Sequence, residues 1–92
     1  MQVEGAVIRE QGQEFAVVVV KQQVVSDRNL ANEVIASYEP TFGRPVVLMA
    51  QDSRGRAKWF GRSDIVRFMS RIAIHRIPWC KYTIHWGEIG YH

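Results

Sequence analysis

Two stretches of this 92-residue chain contain no polar residue: residues 15–20 (FAVVVV) and 46–50 (VVLMA). A strand with one wet side carries a polar residue at every second position, so an unbroken apolar run reads as a strand buried on both faces. Four consecutive valines favour strand over helix, because branching at Cβ crowds a helical turn and packs well on a pleated surface. Whatever this chain folds into must cover both faces of a sheet that holds these two strands.

The stretch PVVLMAQDSRGRAKWFGR, residues 45–62, shows how the second run is used. Asp52, Ser53, Arg54 and Gly55 form a turn: Asp and Ser bond their own backbone there, and Gly55 accepts the positive φ that closes a short hairpin. The chain then returns through Ala57, Lys58, Trp59 and Phe60. An earlier hairpin is expected from residues 3–9 and 14–20 around the Gly-containing loop 10–13.

Helical spacing appears twice. Leu30, Ala31, Val34, Ile35 and Tyr38 share one face of a helix capped by Ser26 or Asp27, and Pro40 is expected to stop it. Ile65, Phe68, Met69 and Ile72 share a face of a second helix opened by Ser63 and Asp64, with Arg67 and Arg71 one turn apart on another face and an end before Pro78. Cys80, Tyr82, Ile84 and Trp86 then alternate with Lys81, Thr83 and His85, which fits a last strand.

The order ββαββα, with or without that C-terminal strand, predicts one α+β domain over residues 1–92. Its architecture is expected to be two-layer, a four- to five-stranded mixed sheet with both helices on one face. The other face then needs a cover, either the aromatic residues 77–91 or a second copy of the chain. A homodimer with a mass near twice 10.6 kDa is the expectation that follows.

From residue 15 to 74 the element order strand, helix, strand, hairpin, helix resembles a stripped thioredoxin-like layout. The redox motif of that family is missing, since Ser26, Asp27, Arg28 and Asn29 stand where its Cys-x-x-Cys would be, so the resemblance implies no dithiol chemistry. The βαββαβ layout of ferredoxin-like domains fits almost as well if the last strand forms. The phrases VVLMAQDSRGRAKWFGRSDIVRF and IPWCKYTI are similar to small uncharacterised bacterial proteins of the orphan and integron gene cassette kind, a resemblance that implies no activity.

Composition bounds the setting. The lone cysteine, Cys80, excludes an intramolecular disulfide and favours a reducing compartment, so the cytoplasm is expected. The first ten residues lack the pattern of a signal peptide, and no apolar run approaches the ~20 residues of a membrane-spanning helix.

The net charge of +3 conceals an asymmetry. Residues 1–46 carry four basic and six acidic groups, whereas residues 47–92 carry eight and three. The basic half also holds most of the aromatic residues. Arg54, Arg56, Lys58, Arg62, Arg67, Arg71 and Arg76 are interleaved with Trp59 and Phe60, a pattern suited to an acidic ligand, a nucleic acid or an acidic protein partner. The competing reading is a solvated face over a core that contains Trp59 and Phe68.

Trp59, Trp79, Tyr82 and Trp86 are candidates for an aromatic pocket, the basis of an alternative as a small-molecule binder or enzyme. Cys80 with His75, His85 and His92 matches no zinc spacing, and Cys80 is expected to be buried beside Trp79. No carboxylate pair, phosphate-cradling glycine loop or nucleophile elbow is present, so neither cofactor nor metal is expected.

Overall fold

The computed structural model describes residues 2–10 and 12–84, and in it the two apolar runs lie side by side. β2 (Gln13–Val19) and β3 (Val46–Gln51) are parallel, paired from Ala16↔Val46 to Val19↔Met49. β1 (Gln2–Glu10) flanks β2 and β4 (Ala57–Phe60) flanks β3, both antiparallel. β5 (Cys80–Thr83) joins the outer side of β1 antiparallel, giving the strand order β4-β3-β2-β1-β5. This is the α+β mixed sheet expected, with the C-terminal strand formed. No strand is inserted between β2 and β3, which separates the arrangement from the split βαβ unit of ferredoxin-like domains.

The helices do not share a face. β2 and β3 are joined by α1 (Gln22–Val25) and α2 (Arg28–Phe42), whose Val24, Val25, Ala31, Tyr38 and Phe42 pack with Ala16, Val18, Val46 and Leu48. α3 (Ser63–Met69) packs on the opposite side, where Ile65 and Met69 meet Ala6, Ile8, Phe15, Val17, Val47 and Met49. The expectation of both helices on one face is therefore corrected, and the two apolar runs are explained without a second copy. Adjacent residues of a strand point to opposite faces, so Val17 serves one apolar layer and Val18 the other. Leu30 is the only large apolar side chain exposed among the described residues. The open face on which the homodimer expectation rested does not exist here.

Local signals fix the helix ends, with two departures. The Asp27 carboxylate accepts the Leu30 N–H at 3.1 Å and caps α2. Pro40 does not stop that helix. It sits in the last turn, where a missing N–H costs one bond rather than a ladder, and α2 runs on to Phe42. The stop is Gly43, left-handed at φ 65°, whose N–H donates to the Glu39 carbonyl. α3 ends well short of Pro78, at Met69, and is followed by a 3₁₀ turn at Ile74–Arg76.

Candidate functional site

The seven cations singled out from the sequence do not form one surface. Arg54 and Arg56 lie in the β3–β4 turn, and Lys58 lies on β4 opposite Ala50. By strand alternation Lys58 shares the α2 side of the sheet with Phe60. Arg62 is the residue before α3, Arg67 lies on α3, Arg71 follows it and Arg76 ends the 3₁₀ turn. Arg67, Arg71 and Arg76 are all exposed. Beneath them Ile65 and Met69 are buried, and Phe68 meets Phe15 edge-to-face at 6.1 Å between ring centroids. The apolar side of α3 thus fixes its basic side outward.

Two of the seven cations are already neutralised. Asp52 Oδ1 accepts the backbone N–H groups of Arg54 and Arg56 at 2.9 Å each, and its Oδ2 meets Arg56 Nε at 2.9 Å. These contacts, with the Arg56 N–H foremost, hold the Asp52 carboxyl below its ordinary pKa. Arg62 grips Asp64 with both arms of its fork, Nε to Oδ1 at 2.7 Å and Nη2 to Oδ2 at 2.9 Å. That side-chain hydrogen bonding lowers the Asp64 pKa and raises that of Arg62. Arg54, Lys58, Arg67, Arg71 and Arg76 make no ion pair among the described residues.

The aromatic candidates are not brought together. Trp59 and Trp79 pack in the α3 layer, whereas Tyr82 lies in the α2 layer against Phe42, with ring centroids 5.1 Å apart. Trp59 is on β4 and Trp79 immediately precedes β5, so four strand spacings, about 19 Å, separate their strands. The Trp79 indole N–H donates to the Ile74 carbonyl at 3.0 Å, which ties this ring to the 3₁₀ turn. Trp86 lies outside the described residues.

Cys80 is exposed, not buried. Tyr82 of β5 and Ile84 just beyond the strand join the α2-side cluster, but Cys80 does not. The Tyr82 hydroxyl lies above its ordinary pKa, chiefly through its hydrogen bond to the Cys80 thiol and then through burial. His75 is exposed on the 3₁₀ turn, while His85 and His92 fall outside the described residues. No group of three or more His, Cys, Asp or Glu side chains able to hold a metal occurs among the described residues. No helix among them is long and apolar enough to cross a membrane.

One charged cluster had no sequence signal. Glu14 bridges Arg9 at 3.0 Å and Arg44 at 2.9 Å, and the buried Nε of Arg44 has no hydrogen-bond partner among the described residues. Arg44 is thirty residues from Glu14, and only the parallel pairing of β2 with β3 brings them together. No family model matches the chain, and no curated protein or solved structure matches it.

Proposed function

We propose that this chain is a small binding module, not an enzyme, that takes the phosphate backbone of a nucleic acid on the outer side of α3 and the turn after it. The observation that carries this reading is the charge imbalance along that segment. Asp64 is occupied by Arg62, and Arg67, Arg71 and Arg76 face water with no carboxylate partner among the described residues. Guanidinium forks match phosphate oxygens in geometry as well as charge. The two tryptophans near this segment are half-buried, and one is tied through its N–H. Their packing favours contacts to the backbone over stacking on bases, hence binding with little sequence preference. The single cysteine, which has no intrachain partner, fits work in the reducing cytoplasm.

Fluorescence anisotropy with labelled single-stranded DNA and RNA at low salt tests the proposal. Three neutralised phosphates give a slope of log affinity against log salt of about −2. Arg67→Glu with Arg71→Glu should abolish most of the binding while the circular dichroism spectrum stays unchanged. Absence of any complex at micromolar protein in low salt, or a double variant that binds as well as the parent, would refute it.

A further inference from the structure

The basic segment ends at an open cleft of about 400 Å³, which lies between residues 7–10 of β1 and Ile72, Arg76, Ile77 and Pro78. That volume is near the lower end of the ~300–1,000 Å³ of small-ligand sites, which is room for one nucleobase. The strand edge behind it is already occupied, since the Val7 N–H donates to the Tyr82 hydroxyl. The cleft is therefore a closed wall with one open mouth toward water.

Its lining is of three kinds. Ile72, Ile77 and Pro78 supply apolar surface, and Arg76 is the last of the three cations assigned above to phosphate. Glu10 supplies an exposed carboxylate that makes no ion pair among the described residues, whereas its neighbour Arg9 is held by Glu14 at 3.0 Å. Strand alternation puts Glu10 on the side of β1 that carries α3, with Ala6 and Ile8. A free carboxylate weakens a phosphate-binding surface through like-charge repulsion, unless it meets a part of the ligand that donates hydrogen bonds. The donors of a nucleic acid are the N–H groups of its bases and the hydroxyls of its sugars. Apolar surface beside the acid selects the base.

We infer that this cleft takes one unstacked guanine of a single strand, with Arg76 on the phosphate of that nucleotide and the Glu10 carboxylate on the Watson–Crick edge of the base. The inference rests on the phosphate-binding reading above and adds a base contact to it. Guanine alone among the common bases presents two N–H donors side by side, at N1 and at the exocyclic N2, and these match the two oxygens of a carboxylate. Adenine and cytosine set a ring acceptor beside their amino group, and thymine and uracil set a carbonyl on each side of their N–H. Each of these places a lone pair against Glu10. The ring lies on Ile72, Ile77 and Pro78, and the remaining nucleotides meet the protein through phosphate alone. Sequence preference is thus confined to one position.

The test is fluorescence anisotropy of the full chain at low salt with short labelled oligothymidylates, one plain and the others carrying a single central guanine, adenine or hypoxanthine. The guanine oligomer should bind about tenfold more tightly than the plain one, the low end for a bidentate base contact. Hypoxanthine, which keeps the N1 donor and lacks the N2 amine, should lose most of that gain, and adenine all of it. Glu10→Ala should abolish the guanine preference while plain oligothymidylate binds as well as before or better. Position 10 is exposed, so the variant is expected to fold, and circular dichroism verifies that. A parent that binds all the oligomers equally, hypoxanthine equal to guanine, or a Glu10→Ala variant that keeps the preference would each overturn the inference and leave the phosphate reading standing. Absence of binding to every oligomer would remove both.

Discussion

Val17→Ala and Val18→Ala, compared side by side, probe the covering of both sheet faces more directly than any other pair. The residues are neighbours on β2 and fully buried, yet Val17 packs under α3 and Val18 under α2. Each substitution removes two buried carbon groups, worth about 0.8 kcal/mol apiece in transfer, and leaves a small cavity, for a cost of about 2–3 kcal/mol. The two sites point away from each other across the sheet, so their effects should add to about 5 kcal/mol. A 92-residue domain has roughly 5–14 kcal/mol in total, so the double variant is expected to be marginal and each single variant folded. Urea denaturation followed by circular dichroism supplies the three differences. If either single variant costs less than about 0.5 kcal/mol, the usual range for a surface site, that face is open and the placement of helices on opposite faces of the sheet is wrong.

Gly5→Ala should destabilise by about 2 kcal/mol, because a Cβ there would lie 2.5 Å from the Val17 carbonyl oxygen and the backbone must shift. Thermal melting should show a drop of about 10 °C, and a neutral or raised midpoint would contradict the close approach. Asp52 supplies a pH dependence. Its folded pKa lies below its unfolded value of about 3.9, so its contribution is present above that value and lost as pH falls through the lower folded one. Asp52→Asn should flatten the acid limb of stability against pH in that window, and an unchanged limb would show that the turn does not depend on the charge.

The strands and both central turns were legible because their signals are local: unbroken apolar runs, a Gly-containing loop and the Asp52 turn. The side of the sheet on which each helix lies was not. The period of Ile65, Phe68, Met69 and Ile72 tells which side of α3 is apolar, but nothing in that period says which face of β2 it meets. Only the strand order decides this. β5 lies beyond β1, so the chain leaving β4 must cross the whole sheet, and it does so over the face that α2 leaves free. The same gap in information separated Trp59 from Trp79, neighbours in an aromatic-rich segment yet at opposite edges of the sheet. Cys80 is exposed for a related reason: alternation gives it the apolar side of β5, but it does not join the cluster under α2. The basic side of α3 was legible in Arg67 and Arg71. The neutralisation of Arg56 and Arg62 by Asp52 and Asp64 depends on how these side chains turn at the hairpin and at the start of α3, which residue order alone does not fix.

The β1–β5 ladder bears on the order in which the molecule is assembled during synthesis. It pairs Gln2 with Thr83 and Gly5 with Cys80, so strands from the two ends of the described chain become neighbours. Closing a loose segment of about 75 residues costs roughly 4 kcal/mol of chain entropy, less once β2, β3 and β4 have already condensed. The β1–β2 hairpin is local and can form while the chain is still growing, whereas its outer neighbour leaves the ribosome some seventy residues later. At the ~5–20 residues per second of translation, β1 stands bare along its full outer side for several seconds. A four-residue strand therefore sets the interval in which a nascent chain is most exposed to pairing with the wrong neighbour.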